Sequence, residues 1–450
     1  MLWYSLCPYP QFTVCALFII GGKNFMVEPL ADRLEPLDEA KGSVWVDASD
    51  KQSVLPCSAE GWDLQRELRS EVGDVMKWIR TQTPRLELST EQAKGTEVWE
   101  ANVHGLPTER VIIYLRSSGC FWAIKPRKNG EPIFRAGCLD CEHSVAETTF
   151  GLPVSADSYV QQFLGAYRAY DFSNYRVLCL YNEGNFFNNQ ELPTEARRKI
   201  LEIIAADPNI EVVVVESLPQ FITNQVLRET KDILANKCLE IGIGLESADP
   251  IVRSLCINKS FSLRRFEEVA ALVNRYCRLL AYVLVKPSFL TEREAFHDAM
   301  KTVEYAFKAG AGVVSIEPIS IREHSMAGVL ARLGLYRTAW LWTVIEVSKA
   351  AYKLGEVRIG GYQFAPSYDY HAHNCEDCTP RVKQAIREFN STNDIRLLDN
   401  LSCDCQLEWQ IELQKEHRPL FDRVRDAVLR LRAYQEQIGN LGSSARWQNA

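Results

Sequence analysis

"FRAGCLDCEHS", residues 134–144, sets two thiols, Cys138 and Cys141, two residues apart behind an Arg and a Gly. Such a pair can serve a disulfide, a redox couple, half of a zinc site or part of an iron-sulfur cluster. The surrounding chain has to choose among these. The stretch closes a loop that opens at "GCFW", so the spacing is Cys120, seventeen residues, Cys138, two residues, Cys141. Just ahead stands "RVIIYLR" from residue 110, a short β-branched run, which puts the three thiols after the end of a predicted strand.

More such runs follow: "YRVLCLY" from 175, "IEVVVVES" from 210, "CLEIGIGLES" from 238, "LLAYVLVKP" from 279, "AGVVSIEP" from 311 and "VRIGGYQF" from 357. They are nearly unbroken apolar segments, as parallel strands covered on both faces require. Helix-like stretches separate them, among them "PTEARRKILEIIAAD", "SLRRFEEVAALVNRY" and "EREAFHDAMKTVEYAFKAG", the last ending at Gly310, a helix stop. This alternation predicts an α/β fold, a partial parallel (β/α)6-type TIM barrel over residues 108–365. Residues 1–107 read as an N-terminal extension, irregular over 27–60 and then helical through "WDLQRELRSEVGDVMKWIRTQ". Residues 366–450 read as a small Cys-rich module and a charged amphipathic helix over 406–440.

Composition narrows the function classes. The chain has 450 residues, 46% of them hydrophobic, enough for a sizeable core. A net charge of -7 argues against non-specific coating of nucleic acid or an anionic membrane, while leaving room for a local basic patch that grips one RNA. The apolar patch from Phe12 to Ile20 lacks a basic leader and is too short to span a bilayer, so neither a secretory signal nor a membrane anchor is expected, and a cytoplasmic location is. The charged, soluble-looking stretch after Met26 suggests a start there, with Met1 as the alternative. Of the fourteen cysteines, Cys7, Cys15, Cys57, Cys179, Cys238, Cys256 and Cys277 read as packing residues, and the other seven fall in ligand-like groups.

In a β/α barrel the working residues collect at the C-terminal ends of the strands. Those ends carry Cys120; Asn182, Glu183, Gly184, Asn185 and Phe186; Glu216; Glu246 and Ser247; Lys286; and Glu317 with Arg322 and His324. Asn182 to Phe186 is either a cofactor-contacting turn or a plain Gly-containing one, and Glu216 and Glu246 are either cofactor contacts or satisfied structural carboxylates. Lys286 and Glu317 have a solvated rim as their alternative, Arg322 and His324 are candidates for facing a substrate, and Arg135 either tunes a metal group or anchors its loop. Cys375 with Cys378, and Cys403 with Cys405, make two close pairs 24 residues apart. They suit a structural zinc ion, with His371 or His373 able to replace one ligand, or an auxiliary iron-sulfur cluster.

Taken together, "GCFW" with "GCLDC", "YNEGNF", "VVESLPQFIT", "IGIGLESADPIVR", "INKSF", "HNCEDC" and "CDCQLEW" resemble the radical S-adenosylmethionine superfamily over about residues 108–410. The nearest likeness is to the radical subunit of archaeosine synthase, and a more distant one is to the Elongator catalytic subunit. The gap between the first and second cysteines is longer than that family's usual one. The resemblance implies a 4Fe-4S cluster on Cys120, Cys138 and Cys141 whose fourth iron is open to S-adenosylmethionine. It implies that the turn Asn182–Phe186, with Glu216, Glu246 and Ser247, receives that cofactor, and that a flavodoxin or ferredoxin supplies the electron. It further implies a tRNA substrate, a deazaguanine base whose lysine adduct is cleaved to an amidine, with a partner transferase subunit helping to grip the RNA. Two other enzyme readings remain: a small-molecule biosynthetic substrate, and aminocarboxypropyl transfer by cleavage of a different carbon-sulfur bond. A third reading is a zinc-stabilised binding protein without catalysis.

Overall fold

The computed structural model describes residues 17–20, 23–26, 59–125, 131–362 and 370–440. The chain divides into two units, Met1–Val54 and Leu55–Ala450. In the first, β1 (Leu17–Ile20) pairs antiparallel with β2 (Lys23–Met26), so the apolar patch ends in a strand. Cys7, Cys15, Cys57 and the stretch expected to be irregular, as far as residue 58, lie outside the described residues.

The second unit opens with α1 (Ala59–Gln82), followed by the hairpin of β3 (Gly95–Val103) and β4 (Leu106–Tyr114) and a small antiparallel pair, β5 (Ile124–Lys125) and β6 (Ile133–Phe134). From α2 (Ala156–Tyr167) the chain alternates through β7 (Val177–Tyr181), α3 (Thr194–Ala206), β8 (Val212–Glu216), α4 (Asn224–Leu234) and β9 (Cys238–Glu246). It continues through α5 (Leu263–Val273), β10 (Arg278–Val285), α6 (Glu292–Lys308), β11 (Val313–Pro318), α7 (Met326–Arg332), α8 (Leu341–Tyr352) and β12 (Glu356–Ile359). Helices α9 (Thr379–Thr392), α10 (Arg396–Asp399), α11 (Gln406–Gln414) and α12 (Leu420–Asn440) complete it.

One curled eight-stranded sheet in the order β12-β11-β10-β9-β8-β7-β4-β3 makes a half-barrel, parallel from β4 to β12. The α/β partial barrel is thus the observed architecture. Its sheet begins ahead of residue 108, because β3 pairs antiparallel with β4 along the edge. The half-exposed sequence "GTEVWEANV" of β3 lacks the continuous apolar run that marks the inner strands. The region 406–440 forms two helices rather than one, broken before Pro419, where the residue preceding proline is pushed out of the helical region.

Local chemistry sets the crossovers. Ser155, Thr223, Ser262 and Thr291 cap α2, α4, α5 and α6 through their hydroxyls, and Glu294 completes a capping box with Thr291. Leu180, Val213, Val215, Ile241 and Ile243 turn outward into the main core with Ile200, Leu227 and Val269, while Ile112, Cys179, Val214 and Leu280 turn inward. Burying each such side chain contributes ~1.5–3 kcal/mol. A separate core joins α1 to α12 through Leu68, Val72, Met76, Ile79, Val424, Val428 and Leu431, and it includes Ala136 and Leu139 of the cysteine loop. Among the described residues, no helix is long and apolar enough to cross a membrane.

Candidate active site and metal centre

The seventeen-residue gap after Cys120 is taken up by the β5–β6 hairpin, which folds back so that the Arg135 amide donates to the Ala123 carbonyl at 2.8 Å. Residues 135–138 therefore return to the turn that carries Cys120. Gly137 makes the return feasible: its φ is +65°, and a β-carbon there would stand 2.8 Å from Ala123 Cβ. The Arg135 guanidinium donates to the Phe121 carbonyl at 3.3 Å, an anchoring contact.

Other elements stitch the loop down. Trp122 Nε1 donates to Asn258 O at 2.9 Å, Asn258 Nδ2 to Gly137 O at 2.8 Å, and Leu139 N to Ile257 O at 3.0 Å. Asn258, in the left-handed region, ends a π-helical turn over Val252–Ile257, so "INKSF" packs against the cysteines. Between Cys138 and Cys141, Asp140 accepts from Ser288 N, Ser288 Oγ and Ala327 N at 3.0, 2.6 and 3.0 Å. Glu142 accepts from His324 N at 2.8 Å and lies 3.0 Å from its Nδ1, so His324 holds the loop.

The turn at 182–186 meets Cys120 through Glu191, a buried carboxylate that accepts from Phe121 N at 3.0 Å, from Asn185 N and Nδ2, and from Asn188 Nδ2 at 2.8 Å. A β-carbon on Gly184 would fall 2.1 Å from Glu191 Oε2, so glycine is needed for this approach. Asn185 Nδ2 stands 3.7 Å from Cys120 Sγ, and Phe186 N donates to Glu216 O at 2.9 Å. Asn182 is 2% exposed and its Nδ2 has no hydrogen-bond partner among the described residues. Glu183 pairs with Lys94 at 2.9 Å; burial pushes its carboxyl up, but His143 and Lys94 outweigh that and hold it below the usual range.

The remaining predicted rim residues divide. Glu246 Oε1 pairs with Lys259 Nζ at 2.9 Å, and its Oε2 is buried with no hydrogen-bond partner. Glu216 bonds Tyr282 inside the barrel, and burial, offset by that bond, pushes its carboxyl up to about 7. Burial likewise pushes Glu317 up to about 7, with Ser315 Oγ donating to it at 2.6 Å. Two groups are committed elsewhere: Ser247 Oγ donates to Asp298 at 2.6 Å, and Lys286 pairs with buried Glu292 at 2.8 Å. At the other end of the strands a cavity of about 470 Å³ is lined by Arg110, Val177, Val212, Glu240, Arg278 and Arg358, with Cys238 its one cysteine.

Sγ separations of 3.5 Å (Cys375–Cys378), 3.6 Å (Cys375–Cys403) and 3.6 Å (Cys378–Cys405) match the edge of a tetrahedron whose metal-sulfur bonds are about 2.3 Å. These four are the one group of three or more described ligand residues tight enough for a single ion, and neither His371 nor His373 belongs to it. Instead, His373 Nδ1 faces Thr338 Oγ1 at 3.2 Å. Cys120, Cys138 and Cys141 do not form such a single-ion group. Burial raises all three thiols, Cys138 to about 11, and Cys120 also feels the charges of Cys138 and Cys141. A cationic metal group reverses that and favours thiolates.

The residues that sequence reading missed are supports: Lys94, Asp140, Glu142, Glu191 and Arg80. Arg80 left one signal, standing four residues beyond Met76 on the apolar face of α1, where the stripe calls for a hydrophobic residue.

No protein-family model matches the chain. It is 29% identical over 318 residues to archaeosine synthase subunit beta of Methanosarcina acetivorans, which covers 70% of this chain and 88% of that protein. It is 28% identical over 317 residues to archaeosine synthase subunit beta of Thermococcus kodakarensis, covering 69% and 94%. Among solved structures, methylornithine synthase is matched at a TM-score of 0.42 and 10% identity over 84% of this chain and 89% of that one. Elp3 of Methanocaldococcus infernus is matched at 0.37 and 12%, over 52% and 59%. Over about 70% of its length the chain, with its three-cysteine loop and partial β/α barrel, is thus similar to archaeosine synthase subunit beta.

Proposed function

We propose that the chain is a radical S-adenosylmethionine enzyme that acts, with a partner subunit, on a deazaguanine base of tRNA. The observation that carries the reading is the return of Cys138 and Cys141 to the Cys120 turn at the C-terminal ends of the parallel strands, beside the 182–186 turn. Cys120, Cys138 and Cys141 would hold a 4Fe-4S cluster, and Cys375, Cys378, Cys403 and Cys405 would hold a zinc ion. Such a cluster, when bound and reduced by a flavodoxin or ferredoxin, would supply the one electron for cleavage of S-adenosylmethionine to methionine and a carbon radical.

The chain's own residues do the rest. Asn182 offers a buried unpartnered amide N–H, and Glu246 a buried unpartnered carboxylate oxygen, for the cofactor's polar groups. Glu216 and Glu317, raised by burial to about 7, can hold or accept a proton inside the barrel near neutrality. The curled sheet keeps water from a reactive carbon and holds the target close. The tRNA substrate and the partner subunit rest on the sequence likeness to proteins named archaeosine synthase subunit beta.

The test is anaerobic reconstitution with iron and sulfide, then iron counting and low-temperature electron paramagnetic resonance with and without S-adenosylmethionine, on wild type and Cys138→Ala. A four-iron signal that shifts with the cofactor and is lost in the variant is expected, with 5'-deoxyadenosine as product; methylthioadenosine would instead indicate aminocarboxypropyl chemistry. Iron-free protein retaining only zinc would leave a binding protein. Absence of salt-sensitive tRNA binding, alone and with a partner subunit, would remove the RNA substrate.

A further inference from the structure

Arg80 lies in the helical extension, outside the barrel, yet its side chain is fully buried, at 0% exposure. Its guanidinium reaches the cysteine loop: Nη2 donates to Cys138 O at 2.7 Å and Nε to Ala136 O at 3.4 Å. The third nitrogen, Nη1, is buried with no hydrogen-bond partner among the described residues. A buried guanidinium is retained only where something satisfies it. Burial disfavours its charge, and Cys141, Cys138, Cys120 and Glu142 offset this in part. Cys138, whose carbonyl Nη2 holds, is one of the thiols proposed for the metal group, so the remaining donor Nη1 lies beside that loop.

Resting on the radical-enzyme reading above, we propose that Arg80 is the positioning residue of the cluster loop and its electrostatic partner. Two N–H groups fix the backbone of Ala136 and Cys138, and Nη1 is held for a sulfur of the cluster. Three thiolates outweigh the positive charge of an oxidised four-iron core, and reduction adds a further negative charge. A cation fixed in a dry site therefore favours the reduced form and raises the reduction potential. It does so from α1, which α12 holds in place through Trp78 against Tyr434 and the pair Arg432–Glu71 at 2.8 Å.

The experiment reconstitutes wild type, Arg80→Gln and Arg80→Lys, counts iron, and titrates each with dithionite under electron paramagnetic resonance, without S-adenosylmethionine. Arg80→Gln is expected to keep its iron while the ratio of reduced to oxidised cluster at a fixed potential falls about tenfold, a shift of about 59 mV for one electron. Arg80→Lys, which keeps the charge, is expected to recover most of that ratio. Reduced wild type labelled with 15N-arginine should show nitrogen coupling to the cluster, absent from Arg80→Lys. An unchanged midpoint in Arg80→Gln, or no coupling in wild type, would overturn the inference while leaving the cluster in place. If Arg80→Gln takes up no iron or does not fold, the wild-type coupling decides. Wild type without iron would overturn the underlying functional reading instead.

Discussion

Removing one thiol from the four-cysteine module, as in Cys405→Ser, tests whether it holds a single zinc ion. Bonds of about 2.3 Å arranged tetrahedrally require sulfurs about 3.8 Å apart, and the separations in the structure are 3.5, 3.6 and 3.6 Å. An auxiliary iron-sulfur cluster, with its thiolates on separate irons, needs a wider frame. Wild type should therefore carry one zinc per chain that survives iron removal, and cobalt substitution should give the intense absorption of tetrahedral thiolate. The module ties α9 and α11 to the barrel: Trp342 Nε1 donates to Cys405 Sγ at 3.2 Å, and Trp409 Nε1 to Thr343 Oγ1 at 2.9 Å. With free zinc a thousandfold above its dissociation constant, linkage alone contributes ~4 kcal/mol. Cys405→Ser should lose the zinc and about that much stability in urea titration, with altered tryptophan fluorescence from Trp342. Eight irons per chain, four of them lost in Cys405→Ser, would refute the reasoning.

Glu240→Ala should cost ~3–5 kcal/mol in urea denaturation, because it strips Arg358 (2.7 and 3.0 Å) and Arg278 (3.2 Å) of their shared buried partner; a loss below ~1 kcal/mol would mean that water replaces it. Glu191→Leu should reduce iron uptake while zinc stays, since four donors of the Cys120 and 182–188 turns lose their acceptor; undiminished iron would show that the turns hold without it. The Glu216 carboxyl stands at about 7 when folded against 4.5 ordinarily, so the folded state binds the extra proton and stability falls as pH rises between those values. Glu216→Gln, which mimics the protonated form, should match wild type near pH 4.5 and exceed it by ~3 kcal/mol above pH 7; parallel melting curves across that range would refute the shift.

Local pattern made much of the fold legible. Runs such as "VVVV" at 212–215 are buried on both faces and admit little but an inner parallel strand, and the spacing of Leu68, Val72 and Ile79 marks α1. The edge strand β3 was not legible, because a half-exposed strand with Glu97 and Glu100 carries no such run. Ser247 and Lys286 stand at strand ends as expected, but strand-end position does not say which way a side chain turns, and Asp298 and Glu292 had already engaged them.

The sequence by itself determined the alternation of strand and helix, the two groups of cysteines and the rim on which the first group lies, because these are written in periodicity and short spacing. Tertiary structure alone decided which charges serve them. Arg80 meets Cys138 across 58 residues, Phe121 meets Glu191 across 70, and Arg358 meets Glu240 across 118. A buried charge is stable only with its partner in place. When that partner comes from another strand or helix, folding alone brings the two together.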